Sequence, residues 1–226
     1  MRAGYESLVG AGFSWLGLVS GELAAWQNWF TAQGADFWAG DRGYWGSPQW
    51  EWPQLGDRLW LLTHSWGLHW LPPELVARAD CLICWGGFTA YHPEQEPARS
   101  QSQHALGQLR AAIAADPLAG LQGFYRQCYR PQTAPELPAI APDRDRLLAD
   151  LEQLDRSQLT VKPLLQIPQR LLLHGESDRI VPIERAQALV AQLQPTAWKF
   201  WPRQGHALPV TAIADCQQWI QAVVVE

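Results

Sequence analysis

Three segments of the sequence carry residue types that can perform nucleophilic catalysis. Ser65 follows an apolar run in R-L-W-L-L-T-H-S-W-G and precedes a helical pattern. Asp178 lies in L-L-L-H-G-E-S-D-R-I-V-P and His206 in F-W-P-R-Q-G-H-A-L-P, each soon after another apolar run. A serine hydroxyl becomes a competent nucleophile when a neutral imidazole takes its proton and a carboxylate orients that imidazole. The segments therefore predict a catalytic triad of Ser65, Asp178 and His206.

Each of these residues also has an ordinary structural explanation. Ser65 could cap a helix, Asp178 could stabilise a turn, and His206 could be a loop histidine whose hydrogen bonds are satisfied. His64 and His69 lie near Ser65 as alternative bases, but the sequence offers no acid partner for either. The triad is favoured because three suitable residue types follow three strand-like runs.

Short apolar runs alternate with helical patterns along most of the chain, which predicts a parallel sheet covered on both faces by helices. The predicted strands are Ser7–Ala11, Phe37–Asp41, Arg58–Thr63, Cys81–Trp85, Arg170–His174 and Ala197–Trp201. The predicted helices are Leu23–Ala32, Trp66–Arg78, Glu184–Leu193 and Ile213–Val224. Parallel sheets form their ligand sites at the carboxyl ends of the strands, so the three candidate catalytic residues can meet there.

The stretch between the fourth and fifth predicted strands breaks this alternation. It holds three amphipathic patterns and a proline-rich connector: His104–Ala115, Leu118–Tyr129, Asp143–Leu154 and Pro131–Pro142. Insertions of this length are commonly lids or binding elements. We therefore predict an α/β core formed by residues 1–87 and 170–226, interrupted by a helical cap formed by residues 88–169.

The chain order of serine, acid and histidine is that of the α/β-hydrolase superfamily, which the sequence resembles over nearly its whole length. The segment L-L-T-H-S-W-G-L-H and the helical insertion after Trp85 look most like the carboxylesterases of biotin synthesis that cleave pimeloyl-acyl-carrier-protein methyl ester. Thr63 replaces the first glycine of G-x-S-x-G, and Ala11 stands where the family's H-G-x-x motif has its histidine. The antiparallel strands that usually open the fold are not visible. The Asp41–Gly46 segment resembles the family's glycine-rich loop, and we expect a turn at the sheet rim there.

The resemblance implies a serine carboxylester hydrolase with an acyl-enzyme intermediate and no cofactor. The N–H of Trp66, the residue after the nucleophile, would donate to the oxyanion, and the register of the first loop assigns the second donor to Phe13. Two alternatives are an acyl-carrier or acyl-CoA thioesterase and a non-catalytic binding module on a hydrolase fold.

Substrate-binding residues follow from the same resemblance. The family's cap carries arginines that meet an acidic carrier protein, and G-F-Y-R-Q-C-Y-R places Arg126 and Arg130 at helical spacing. The fourteen tryptophans suggest an aromatic-lined pocket for an acyl chain, with Trp15, Trp66 and Trp85 as candidates. The expected partner is an acyl ester, either free or carried on acyl carrier protein.

Composition excludes several other classes. Hydrophobic residues make up 47% and charged residues 17% of the 226 residues, as in a globular protein. A formal charge of −5 leaves no basic face for nucleic acid. Cys81 and Cys84 form a C-x-x-C, but Cys128 and Cys216 stand alone, so neither a zinc site nor a disulfide scaffold is predicted.

No apolar run reaches the roughly 18 residues that a membrane span needs. The stretch Ser7–Gly21 is uncharged and resembles the core of a signal peptide, but Glu6 precedes it and glycines interrupt it. We therefore expect an uncleaved N-terminus, no membrane partner and a cytoplasmic location.

Overall fold

A single parallel sheet forms the centre of the fold. The computed structural model describes residues 6–11, 20–49 and 56–224. The strands are β1 (Glu6–Ala11), β2 (Ala35–Ala39), β3 (Arg58–His64), β4 (Cys81–Trp85), β5 (Gln169–Gly175) and β6 (Ala197–Trp201). Their order is β2-β1-β3-β4-β5-β6, and every neighbouring pair is parallel. The predicted α/β class with a mostly parallel sheet is confirmed.

Helices connect the strands. They are α1 (Ser20–Thr31), α2 (Pro73–Val76), α3 (Ala98–Ala115), α4 (Pro117–Tyr129), α5 (Arg144–Arg156), α6 (Ile183–Leu193), α7 (Leu208–Thr211) and α8 (Ile213–Val224). Two 3₁₀ helices lie at Ser65–Trp70 and Leu164–Gln166. None of the helices in the described ranges has the length and apolar character that a membrane span requires.

Alternate residues of the central strands belong to two different apolar clusters. Leu62 packs in one cluster with Trp26 of α1 and Ile220 of α8. Its neighbour Leu61 packs in another with Leu189 of α6. Successive side chains on a strand point to opposite faces, so helices must cover both sides of β3. This double burial explains why the central strands are continuous apolar runs.

The predicted helix Trp66–Arg78 is wrong. The chain forms the 3₁₀ helix Ser65–Trp70, and only then the single turn of α2. Leu71 and Pro72 between them are extended, with ψ of 121° and 134°. A proline disfavours the helical conformation of the residue before it, and the Pro72–Pro73 pair imposes this twice.

Other boundaries differ by a few residues. Strand β2 ends at Ala39, two residues before the predicted end, because Asp41 pairs instead with Gln49 in an antiparallel bridge. Helix α3 begins at Ala98, six residues before the predicted start. The added residues are mostly polar, so they lack the apolar spacing from which a helix is predicted. The short helix α7 was not predicted.

Helices α3, α4 and α5 lie between β4 and β5, where the sequence predicts three helices. We refer to residues 88–168 as the helical segment. Its buried side chains include Leu106 of α3, Leu121 of α4 and Leu151 of α5, which form one cluster with Trp66. The helical segment therefore packs directly on the 3₁₀ helix that begins with Ser65.

A buried carboxylate fastens α5 to the loop after β2. Asp150 is fully buried and accepts hydrogen bonds from the guanidinium of Arg42 at both of its oxygens. The hydroxyl of Tyr44 donates to Asp150 Oδ2 over 2.5 Å. Burial, with the charge of Asp150, raises the pKa of Tyr44, so the phenol stays protonated and donates. The Arg42 guanidinium also lies 3.6 Å from the centre of the Trp70 ring.

The same loop must turn tightly to reach α5. Gly43 has φ +73° and donates its N–H to Asp41 Oδ1 over 2.7 Å. A Cβ on Gly43 would lie 2.5 Å from the Arg146 guanidinium and from the Pro48 nitrogen, so only glycine fits. The Asp41–Gly46 segment, predicted as a turn at the rim of the sheet, is a turn, and its residues form hydrogen bonds with Asp150 and Arg146 of α5.

Candidate active site

Ser65 sits in a strained turn at the carboxyl end of β3. Its φ is +56°, a left-handed conformation that is uncommon for residues other than glycine. His64 before it is extended, and the 3₁₀ helix follows at once. Residues held in such conformations cluster at functional sites, and this strand–turn–helix geometry is that of a nucleophile elbow. Thr63, in place of the usual glycine, does not prevent the turn.

Asp178 and His206 contact each other in the loops that follow β5 and β6. His206 Nδ1 lies 2.7 Å from Asp178 Oδ2, and both side chains are buried. The other carboxylate oxygen, Oδ1, accepts the backbone N–H groups of Ile180 and Val181, each over 2.8 Å. Because the carboxylate accepts at Nδ1–H, the lone pair of His206 is at Nε2. That is the tautomer that a general base needs.

The carboxylate of Asp178 stays charged at neutral pH. Burial alone would raise its pKa, but the charge and hydrogen bond of His206, with smaller contributions from His174 and the Val181 amide, hold the pKa below its usual range. A charged Asp178 stabilises the imidazolium that forms when His206 takes a proton.

The loop that carries His206 packs closely against the C-terminal end of α4 and the residue that follows β4. The N–H of Ala207 donates to the carbonyl of Cys128 in α4 over 2.9 Å. A Cβ on Gly205 would overlap the carbonyl oxygen of Arg130. A Cβ on Gly86, which has φ +58°, would lie 3.2 Å from the His206 ring. These close approaches fix the imidazole at the end of β4, where its ring centre lies 4.6 Å from that of His64, the residue before Ser65.

Solved structures share this arrangement of elements. The bromoperoxidase from Bacillus anthracis matches with a TM-score of 0.75 at 14% identity, over 99% of this chain and 93% of that one. The esterase from Exiguobacterium antarcticum matches with 0.71 at 15% identity, over 100% and 94%. MGS-M2, an α/β-hydrolase from a Medee basin deep-sea metagenome library, matches with 0.71 at 11% identity, over 100% and 90%. The chain has the α/β-hydrolase fold. No protein-family model matches the sequence, and no curated protein does either.

Two further buried histidines of this α/β-hydrolase fold brace the acid and the base. His64 Nε2 lies 2.9 Å from the carbonyl oxygen of His206, and His174 Nε2 lies 2.9 Å from that of Val181. A carbonyl only accepts, so both nitrogens carry protons. Burial is the main cause that lowers the pKa of both side chains, which are therefore neutral at pH 7.

The alternative bases do not have an acid partner. His64 bonds a backbone carbonyl, and His69 bonds the carbonyl of Phe88 and the hydroxyl of Ser157. Among the described residues, neither ring is hydrogen-bonded to a carboxylate. His206 is thus the histidine whose partner suits a base.

The predicted aromatic pocket is not supported at Trp85. This side chain has no exposed surface and packs in the core, with its ring centre 5.1 Å from that of Trp26. Tryptophan occurs both in pockets and in apolar cores, so the sequence alone does not distinguish the two. In this fold Trp85 lies in the core. Trp66 follows Ser65, and its indole is buried against α5. Phe13 and Trp15 lie outside the described residues.

The two predicted arginines lie on one surface. Arg126 belongs to α4, and Arg130 follows its last residue. Both are exposed and line a groove of about 920 Å³. Arg179, the exposed neighbour of Asp178, lines the same groove but was not predicted.

No metal centre is visible in the ranges that the structure describes, since no three potential ligands cluster there. The four cysteines are free and buried. Burial raises the pKa of Cys81 to about 12 and that of Cys84 to about 11, so both thiols are protonated and unsuited to bind a metal.

Three residues that shape the site were missed in the sequence. Asp150 lies on the buried stripe of α5, where a charged residue among leucines signals an interior partner. His174 is the penultimate residue of the buried strand β5, and a histidine after an apolar run is also a recognisable signal. Ser157 had none, because an ordinary serine after a helix resembles any loop residue.

We predict that the protein loses stability between pH 7.5 and 5.0. The pKa of His69 falls to about 4 on folding, and those of His64 and His174 also fall. Below a pH of about 6.5 the unfolded chain binds protons that the folded chain does not. Each such histidine removes up to about 1.4 kcal/mol of unfolding free energy per pH unit. Asp178 adds nothing in this range, because its lowered pKa matters only at more acidic pH.

Urea denaturation at several pH values measures this slope. His69→Gln should make the slope shallower by about one proton, whereas His104→Gln, at an exposed position, should not change it. A slope that stays the same in His69→Gln would contradict the assignment of a neutral, buried imidazole.

Proposed function

We propose that this chain is a serine carboxylester hydrolase that works through an acyl-enzyme intermediate. The observation that carries the proposal is the buried Asp178–His206 pair beside Ser65 in its left-handed turn. Esterases are among the solved structures that share the fold, which supports the same chemistry. The site itself, rather than the fold, argues for function.

The proposed reaction has two halves. Ser65 Oγ attacks the ester carbonyl while His206 Nε2 takes its proton, and Asp178 stabilises the resulting imidazolium. The tetrahedral oxyanion accepts hydrogen bonds from the backbone N–H groups of Trp66 and, in our proposal, Phe13. His206 then protonates the departing alcohol as the carbon–oxygen bond breaks. Water attacks the acyl-enzyme in the same way and releases the acid and free Ser65.

We predict that Ser65→Ala lowers hydrolysis of p-nitrophenyl butyrate by at least about a thousand-fold, because the nucleophile is lost. A fluorophosphonate probe should label the unaltered protein at Ser65 and leave Ser65→Ala unlabelled. Ser100→Ala, an exposed serine of α3, is the matched control and should behave as the unaltered protein. Circular dichroism checks that each variant is folded.

Turnover retained in Ser65→Ala would contradict the proposed nucleophile. An unaltered protein that neither hydrolyses esters nor takes up the probe would favour the alternative of a non-catalytic binding module.

We further propose that the helical segment is a cap over Ser65 and that the natural substrate is pimeloyl-acyl-carrier-protein methyl ester. The support is the resemblance of the segment around Ser65 and of the insertion after β4 to the esterases of biotin synthesis. The contacts of Cys128 in α4 and of Arg130 with the His206 loop support this proposal, since a cap must pack against the site that it covers. The competing function is an acyl-carrier or acyl-CoA thioesterase.

The bond that breaks distinguishes the two functions. With pimeloyl-acyl-carrier-protein methyl ester, we predict release of methanol and a carrier that keeps its acyl group. The gene should also restore biotin-free growth to a bacterium that lacks its own pimeloyl ester esterase, and the Ser65→Ala variant should not. Release of the carrier thiol instead of methanol would establish the thioesterase.

The groove lined by Arg126, Arg130 and Arg179 is the proposed docking surface for the acidic carrier. One of its lining residues, Arg179, directly follows Asp178 in the chain. A carrier bound in the groove would therefore lie close to the loop that carries Asp178. Glu136 and Asp116 also line the groove, so the groove is not positively charged along its whole length, and its positive charge is concentrated around the arginines.

We predict that Arg126→Ala combined with Arg130→Ala lowers kcat/KM on the carrier-bound ester and weakens its salt dependence. Hydrolysis of p-nitrophenyl butyrate should be nearly unchanged, since a small ester needs no docking. Charges at the rim of an interface act largely on the rate of encounter, and salt screens them over about 8 Å at physiological ionic strength.

The matched control removes two exposed arginines of α5, Arg144 and Arg156, which do not line the groove. That control should retain activity on both substrates. An equal loss on both substrates in the Arg126/Arg130 variant would point to folding, and no loss on either would remove the docking role.

A further inference from the structure

A serine at the end of α5 joins the helical segment to the turn that carries Ser65. Ser157 is the first residue after α5, and its Oγ lies 2.9 Å from the indole nitrogen of Trp66. The same oxygen lies 2.5 Å from Nδ1 of His69. Both partners belong to the 3₁₀ helix that begins at Ser65. One hydroxyl thus connects two distant parts of the chain.

The direction of each hydrogen bond in this contact is determined. His69 Nε2 lies 2.9 Å from the carbonyl oxygen of Phe88, so Nε2 carries the proton. Burial lowers the pKa of His69 to about 4, so its ring is neutral and Nδ1 accepts. Ser157 must then donate its hydroxyl proton to His69, while its oxygen accepts the indole N–H of Trp66. The chain of donors ends at the Phe88 carbonyl with every member partnered.

A serine that donates to a neutral imidazole also resembles a nucleophile, and a pocket of about 370 Å³ opens beside Ser157. Two observations argue against that role. Ser157 has ordinary extended backbone, with φ −69° and ψ 130°, rather than the left-handed turn of Ser65. The indole N–H of Trp66 also occupies its oxygen, which lowers the ability of that oxygen to attack. The arrangement suits a hydroxyl that holds its partners in place.

Trp66 is the partner whose position matters for the reaction. It follows Ser65, and its backbone N–H is the proposed oxyanion donor. The N-cap residue of this 3₁₀ helix, His64, makes no side-chain capping hydrogen bond. The indole is buried, and it packs on Trp70 with ring centres 4.6 Å apart. The indole nitrogen, which is the single polar atom of this side chain, donates its hydrogen bond to Ser157 Oγ, and this bond determines the orientation of the ring within the apolar cluster.

We propose that Ser157 is a positioning residue of the active site, which holds the indole of Trp66 from the helical segment and thereby aims the backbone N–H of Trp66 at the oxyanion. This role rests on the proposed hydrolase function. It makes the seating of α5 on the core a condition for stabilising the transition state, because Ser157 enters the site only when α5 is in place.

The experiment compares steady-state hydrolysis of p-nitrophenyl butyrate in four single variants and one double variant. Ser157→Ala should lower kcat about tenfold with KM within about twofold, because only the transition state carries the oxyanion. Ser157→Thr keeps the hydroxyl and should retain most of the activity. Ser102→Ala is the matched control: Ser102 also lies in the helical segment and bonds a histidine, His92, over 2.8 Å, but it contacts neither Trp66 nor His69. It should match the unaltered protein.

The fourth variant, Trp66→Phe, tests whether Ser157 acts through the indole. It removes the N–H and keeps an aromatic ring, and it should lower kcat to a similar extent. Ser157→Ala in the Trp66→Phe background should then cause little further loss, since the two changes break the same bond. Additive losses would overturn the proposal. So would an unchanged kcat in Ser157→Ala with a lowered melting temperature, which would mean a purely structural contact.

Two outcomes separate this role from the function on which it rests. If the unaltered protein fails to hydrolyse the ester and to react with a fluorophosphonate at Ser65, both proposals fail. If Ser65 reacts normally and kcat is indifferent to Ser157→Ala, only the positioning role fails. Labelling of Ser157 in the Ser65→Ala protein would make it a second nucleophile and would likewise overturn the assignment.

Discussion

The hydrogen bond between His206 Nδ1 and Asp178 Oδ2 is the contact on which the arrangement of the site depends. A buried carboxylate is costly unless its oxygens are hydrogen-bonded, and Asp178 meets this condition by bonding two backbone amides at one oxygen and the imidazole at the other. The loops after β5 and β6 must therefore keep a fixed register. His64, which holds the His206 carbonyl, extends that constraint to the residue next to Ser65. The backbone next to Ser65 is thus linked to the Asp178–His206 pair.

A second set of buried polar contacts joins the helical segment to the core through α5. Asp150, at the middle of α5, binds Arg42 and Tyr44, and Ser157, just beyond the C-terminal end of α5, binds Trp66 and His69. The two residues are seven positions apart, about two helical turns, so they lie on the same side of the helix as its buried leucines. Apolar packing alone would let α5 slide or rotate on the core. Directional hydrogen bonds at these two points remove that freedom, because a shift would leave buried polar groups without partners.

The sequence predicted what local patterns can encode. The strands Cys81–Trp85 and Ala197–Trp201 have the predicted bounds because each is an apolar or aromatic run that ends at a turn. The contact between Asp178 and His206 was predicted because both residues lie in loops that follow parallel strands, which brings them to one edge of the sheet. The helix predicted at Trp66–Arg78 is wrong because its apolar spacing continues past the Pro72–Pro73 pair, whereas the helical backbone does not. Contacts such as Ser157 with Trp66 join residues far apart in the chain, and no local pattern encodes them.

The turn at Ser65 forms although the sequence departs from the usual glycine before it. The left-handed conformation of a serine costs on the order of 1 kcal/mol, so the surroundings must hold it. Thr63 is fully buried as the penultimate residue of β3, and its neighbours in the sheet are Ala11 and Cys84, both small residues. The end of β3 stays extended and paired with β4 up to His64, and it directs the chain into the turn. The strain is carried by the sheet rather than by a flexible residue, and this favours a rigidly placed Ser65.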